Sequence, residues 1–267
     1  MYKVSEILSY ITEIAPLHWQ ENYDNSGLLL GNADAMVDKA LLTIDVTEDV
    51  VDEAIENSFH LIISHHPLIF KGLKNILEDN TLGRIIVKAI KNDISIAAMH
   101  TNLDNSFFGV NRILSEKIGL RELQILRTVD FDASNQGCAI GSGMLGVLEN
   151  EMSENDFLRL MKEKLNVGAI RHSEFLGKPI KKVALCGGSG AFLINDAKRC
   201  KADVYLTADV KYHEFFEADK ELLIVDAGHF ETEQFTKQLI ADIILKKNPK
   251  FAVQISSVKT NSVHYFV

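Results

Sequence analysis

Short unbroken apolar runs alternate along this chain with longer stretches whose apolar positions recur at helical spacing. Val4, Ile7, Leu8, Ile11 and Ile14 lie on one face of a helix that Pro16 stops. Leu41-Leu42-Thr43-Ile44 reads as a strand, and Thr47 caps a helix running through Val50, Val51, Ala54 and Ile55. Leu61-Ile62-Ile63 reads as a short buried strand bounded by Pro67. A helix from Leu82 to Lys91 leads into a strand from Ile94 to Met99. From Arg121 to Gly177 the pattern changes, with a glycine-rich stretch from Gly137 to Gly146, a helix from Glu154 to Leu165, and antiparallel strands. The alternation then returns. Val183-Ala184-Leu185 is a strand, Gly187-Gly188-Ser189-Gly190 a turn, and Ala191 to Lys201 a helix. The strand Val204 to Thr207, a helical Tyr212 to Ala218 and the strand Leu222 to Val225 complete the series. Strands and helices in this order predict an α/β fold with a largely parallel sheet.

The two halves repeat one order of elements, and each ends its last strand in a histidine with an acid four residues on: His100-x-x-x-Asp104 and His229-x-x-x-Glu233. Such a repeat predicts two similar, intertwined α/β lobes from an internal duplication. Residues 1–125 and 230–267 are expected to form the first lobe, and 126–229 the second.

Composition narrows the function classes. The 267 residues are 46% apolar and carry a net charge of −9, without a basic cluster. That balance argues against a nucleic-acid backbone as partner, which needs clustered Lys and Arg. No apolar stretch approaches the ~20 residues that cross a bilayer, and the N-terminus lacks the pattern of a signal peptide. Cys138, Cys186 and Cys200 form no CxxC pair, which fits reduced thiols and a cytoplasmic setting.

His65 and His66 stand at the end of a buried strand, where each imidazole must satisfy two ring nitrogens. A divalent metal satisfies them. Neighbouring side chains on an extended chain point to opposite sides, so the pair suits two ions side by side better than one. His229 lies just before a helix from Glu231 to Lys246, with Glu233 in its first turn, so both can reach one point. Asp104 sits similarly before the helix of Val110, Ile113, Leu114 and Ile118. Taken singly, Asp104 or Glu233 reads equally as an acid complementing a helix N-terminus. Taken together, His65, His66, Asp104, His229 and Glu233 form an imidazole and carboxylate set suited to Zn²⁺, Mn²⁺ or Fe²⁺ rather than Ca²⁺. Asp104 or Glu233 would bridge two ions.

Other polar residues keep two readings each. His100 is a ligand or, by preference, a group that orients Asp104 or touches substrate. His213, with Asp209 and Thr207, shuttles protons or contacts substrate, or is a surface histidine. Asp24 and Asn25 cap a turn beside the site, or Asp24 holds a ligating histidine. Gly187-Gly188-Ser189-Gly190 cradles a phosphate, or makes a tight turn that lets the lobes approach.

With these pieces in view, the chain resembles the dinuclear metal-centre family of GTP cyclohydrolase type 2 homologues, the NGG-interacting-factor-like proteins. The matching motifs are Asp24-Asn25-Ser26-Gly27-Leu28-Leu29-Leu30-Gly31, Ser64-His65-His66-Pro67, His100-Thr101-Asn102-Leu103-Asp104 and Gly187-Gly188-Ser189-Gly190. Thr207-Ala208-Asp209, Tyr212-His213 and Gly228-His229-x-x-x-Glu233 follow in family order. Tyr23 stands where many members carry Trp, and Ala208 where many carry Gly; neither is a proposed ligand. The resemblance implies the short form of the family, without a mid-chain insert domain. It implies metals in a cleft between the lobes, held by His65, His66, Asp104, His229 and Glu233, and a ring-shaped homohexamer. It also points to a metal-dependent hydrolase of a nucleotide-like small molecule, opening the GTP imidazole ring; on that hypothesis His213 or His100 handles protons. A non-catalytic metal-binding or regulatory ring is the first alternative. A dinuclear metal phosphatase or peptidase is the second, and it would call on a cation such as Arg84 or Lys71 near the metals.

Overall fold

Side-chain caps start some of the helices that the apolar pattern predicts. Thr47 accepts from the Val50 amide at the head of the helix Glu48–Glu56, and Asn80 accepts from the Gly83 amide at the head of Thr81–Lys91. The structure, a computed structural model, describes residues 1–132 and 138–266. Gly137, the first residue of the glycine-rich stretch, lies outside the described residues.

The chain divides into two compact units, Met1–Leu103 with Thr236–Asn261, and Asp104–Phe235 with Ser262–Val267. The first break therefore falls at residue 104, where the sequence reading set it at 126. The helix Val110–Lys117 explains the difference, because Leu114 and Ile118 join the core built on Met144, Phe157 and Leu206. The second break falls at Phe235. Phe235 packs on that same core, whereas the helix Thr236–Lys247 belongs to the first unit, where it buries Ile240 and Ile244. The single helix expected from Glu231 to Lys246 is accordingly two helices, His229–Glu233 and Thr236–Lys247.

In the first unit, a five-stranded sheet runs in the order Ala252–Ile255, Lys39–Thr43, Leu61–Ser64, Ser95–Ala98, Gly27–Leu30. The first four pair in parallel, and Gly27–Leu30 closes the edge antiparallel. The two edge strands escaped the sequence reading. One is masked by a motif rich in turn residues, and the other is four residues long and largely exposed. Both central strands are buried throughout, which is why they read as unbroken apolar runs.

In the second unit, a six-stranded sheet runs Arg121–Asp132, Cys138–Met152, Ile180–Ser189, Val204–Ala208, Leu223–Asp226, Arg171–His172. Its middle is again a parallel trio, and the strand beside the last of the three is again antiparallel. The antiparallel hairpin of the first two strands is the change of pattern seen after Arg121. Ile180–Ser189 runs on through Gly187 and Gly188, so these glycines lie in a strand and not in the expected turn. The helix expected from Ala191 to Lys201 is a 3₁₀ turn, Ala191–Leu193, followed by Ile194–Arg199. Among the described residues, no helix is long and apolar enough to cross a membrane.

Candidate metal centre

Adjacent parallel strands put their C-terminal ends side by side, and the first unit uses three such ends. Ser64 pairs with Ala98 and Thr43 with Ser64, so the residues that follow each strand are neighbours. The His66 amide donates to the Ile44 carbonyl at 3.0 Å, and the Met99 amide to the Ser64 carbonyl at 2.9 Å. Asp45, His65, His66 and His100 are therefore brought together from three separate stretches of sequence.

One candidate ligand atom from each of His65, His66 and His100 lies within 4.8 Å of the other two. The His65 and His66 ring centroids are 4.9 Å apart, and His100 lies 5.2 and 5.4 Å from them. The expectation that His65 and His66 diverge is corrected here. Extended alternation stops at Ser64, the chain bends at both histidines, and the Ser64 hydroxyl donates to the His66 carbonyl at 2.7 Å.

The far nitrogen of each ring is held. His65 Nδ1 donates to the Met99 carbonyl at 2.8 Å, His66 Nδ1 to Asp45 at 2.7 Å and His100 Nδ1 to Asp24 at 2.7 Å. A carbonyl or carboxylate can only accept, so Nδ1 is the donor in each ring and Nε2 is the nitrogen left facing the cluster. This is the arrangement that orients metal-ligating histidines. Asp24 is fully buried and also accepts from Asn25 N, Ser26 Oγ and Thr101 N. Burial would raise its carboxyl, but the bonds from His100 and Thr101 outweigh that and hold it well below the usual range.

In the second unit, the short helix His229–Glu233 sets His229 Nε2 at 3.0 Å from Glu233 Oε2. His229 Nδ1 is held by Asp209 at 2.6 Å, which repeats the histidine and carboxylate pairing of the first unit. Burial lowers the His229 pKa, yet Asp209 and Glu233 outweigh it and push it up to about 11. The bond to His229 in turn lowers the Asp209 carboxyl. Glu233 is nearly covered, and Gly188 makes room for it: a Cβ on Gly188 would lie 2.1 Å from Glu233 Oε1. The Gly188 amide donates to Thr232 Oγ1 at 3.0 Å, and Thr207 Oγ1 donates to the Gly188 carbonyl at 3.1 Å. The glycine segment is therefore a close-approach strand rather than a phosphate cradle or a turn.

Asp104 ends the helix Thr101–Asp104 and is half-buried. Asn111 donates to its carbonyl at 3.1 Å and accepts from the Gly187 amide at 2.9 Å, tying Asp104 to the glycine strand. Burial pushes the Cys186 thiol up, and the charges of Asp104 and Glu233 add to the effect, so this cysteine is an inert core thiol. Asn25 donates to the Ile69 carbonyl at 2.6 Å. His213 is exposed, with Tyr212 and Phe216 as its ring neighbours. Arg84 donates to Glu48 at 2.8 Å and to Thr81, so that cation is already engaged, while Lys71 is exposed.

Asp45, Asn111 and Thr232 escaped the sequence reading. For Asp45 a signal existed, since it follows the strand Lys39–Thr43 as His66 and His100 follow theirs. Nothing in the spacing marks Asn111 or Thr232.

Fold and side chains together define an α/β protein with a cluster of histidine groups that could hold a metal ion. The family profile of DUF34/NIF3 (NGG1p interacting factor 3) matches residues 2–262. A Clostridium perfringens protein named GTP cyclohydrolase 1 type 2 homolog is 38% identical over 233 residues, 86% of this chain and 87% of that protein. A Campylobacter jejuni protein of the same name is 37% identical over 270 aligned positions, covering 99% of this chain and all of the relative. The crystal structure of a Bacillus cereus protein related to NIF3 superposes with a TM-score of 0.94 at 28% identity, covering 99% of each chain. This chain belongs to the DUF34/NIF3 family.

Proposed function

We propose that His65, His66, Asp104, His229 and Glu233 together hold two divalent ions, Zn²⁺, Mn²⁺ or Fe²⁺, and that the protein hydrolyses a nucleotide-like small molecule. The observation that carries this reading is the donor set. His65, His66, His100 and His229 each have Nδ1 fixed by a carboxylate or carbonyl. Glu233 is seated against a glycine that leaves space for it. Imidazole nitrogens with carboxylate oxygens fit Zn²⁺, Mn²⁺ or Fe²⁺ better than Ca²⁺. When bound, two such ions would supply Lewis acidity and a water of lowered pKa. The chain's own contribution is to hold and aim. Asp24, Asp45, Asp209 and the Met99 carbonyl set the ring orientations, and Glu233 lies against the other nitrogen of His229. His100, clustered with His65 and His66, is read here as a further ligand or as a contact to substrate.

The names of the Clostridium and Campylobacter relatives, GTP cyclohydrolase 1 type 2 homolog, support GTP or a related purine nucleotide as substrate. On this reading water adds to the imidazole carbon C8 and the ring opens there. The test is turnover of a nucleotide panel by metal-loaded protein beside the Asp104→Ala/Glu233→Ala variant. Formation of a ring-opened product, lost with the bound metal in the variant, is expected. Turnover that persists after the metal is gone would overturn the reading, as would finding no ion in protein purified without chelator. The same reading takes the protein to be a homo-oligomer, a hexameric ring, in the cytoplasm. The free thiols Cys138, Cys186 and Cys200 fit a reducing compartment. Light scattering is expected to return a hexamer's mass, and a monomer would sink the ring.

A further inference from the structure

Phe70 stands four residues after His66 in a loop that leads from the strand Leu61–Ser64 to the helix Thr81–Lys91. The residue is 49% exposed, and its ring centroid lies 5.8 Å from the His100 ring at an interplanar angle of 87°. Leu68, two residues earlier, packs on the core with Val50 and Ile62, whereas Phe70 is left out of that core. Exposing a phenyl ring beside polar imidazoles gains nothing for folding. Nor is the ring loosely placed. Leu68 anchors the loop on one side, and Asn25 Nδ2 holds the Ile69 carbonyl at 2.6 Å. Asn25 is joined through its own amide to Asp24, the residue that fixes His100. One dipeptide, Asp24-Asn25, thereby positions both the phenyl ring and the neighbouring imidazole.

The charge around this ring is also distinctive. From Pro67 to Leu77 the loop has Lys71 and Lys74, and its acids, Glu78 and Asp79, come only at its far end before the helix. Both lysines are exposed. An exposed aromatic ring in a loop that carries two exposed cations suits a planar ring with an anionic tail.

We propose that Phe70 is the stacking platform for the ring of the substrate, that Lys71 meets its anionic group, and that Asn25 is a positioning residue for Phe70. The ligand class is a nucleoside phosphate. This inference rests on the hydrolase reading above for its site, but it can fail separately. The experiment is calorimetric titration of GMP and of ribose 5-phosphate into zinc-loaded and metal-free protein, with zinc content measured for each sample. Phe70→Ala is expected to weaken GMP binding about tenfold, as removal of a base-stacking ring does, and to leave ribose 5-phosphate unchanged. Phe70→Trp should retain GMP, Asn25→Ala should weaken it, and Lys71→Ala should weaken both ligands. Zinc content should be the same in all four variants. Unaltered GMP affinity in Phe70→Ala overturns the platform, as does equal loss of both ligands. Failure of wild-type protein to bind GMP while it holds zinc also overturns it and leaves the metal centre standing. Absence of zinc with GMP binding still dependent on Phe70 would overturn the metal centre and support the platform.

Discussion

Gly188→Ala is expected to reduce metal affinity by roughly tenfold to a hundredfold, the range seen when groups that orient metal ligands are disturbed. The new methyl would fall 2.1 Å from Glu233 Oε1 and 3.3 Å from His229 Cε1, so the carboxylate has to leave its place. Gly188 also has φ +62°, where a residue with a Cβ costs about 1–2 kcal/mol. The two effects separate with a control. Gly177 has φ +68°, and a methyl added there would meet nothing within 4 Å among the described residues, so Gly177→Ala carries the backbone cost alone. Both variants should lose stability in thermal unfolding, and Gly188→Ala alone should lose affinity in a chelator competition. Equal metal affinity in the two variants would show that Gly188 does not place Glu233.

Asp24→Asn is expected to destabilise the protein by about 3–5 kcal/mol, the range for breaking a buried, hydrogen-bonded charge network. The carboxylate is fully buried and accepts from His100 Nδ1, Asn25 N, Ser26 Oγ and Thr101 N. An amide turns one acceptor edge into a donor, which then faces N–H or O–H groups. The pH dependence follows from the direction of the shift. The folded-state pKa of Asp24 is depressed, so its contribution is present above the unfolded-state value and is lost as pH falls through the folded-state value. The gap between wild type and Asp24→Asn in urea unfolding should be level from about pH 8 to pH 5 and should narrow below about pH 4. A gap independent of pH down to the acid transition would mean that the ionised carboxylate is not what stabilises this turn.

Much of the site was legible as spacing. His65-His66 stands at the end of an apolar run, and His229-x-x-x-Glu233 spans one helical turn, so each announces itself within five residues. The alternation of short apolar runs with helical stretches likewise carried the α/β class, because strands buried on both faces leave unbroken apolar runs. The errors share a cause. Strand geometry does not extend to His65 and His66, which lie one and two residues past the strand's end, and the glycines at 187 and 188 resemble a turn because glycine marks both turns and close approaches. The helix break at Phe235 was hidden because the apolar period continues while the core it faces changes.

The sequence by itself determined which side chains were able to serve as ligands, since residue type and local periodicity place histidines and acids at the ends of strands and the starts of helices. Tertiary structure alone decided how those side chains are aimed. His66 depends on Asp45, 21 residues away, His100 on Asp24, 76 residues away, and Glu233 on the bare backbone of Gly188. Those partners meet through the register of neighbouring strands, parallel for Asp45 and antiparallel for Asp24, and the packing of a helix on a sheet. Both are long-range consequences of burying the core, and no local spacing records them.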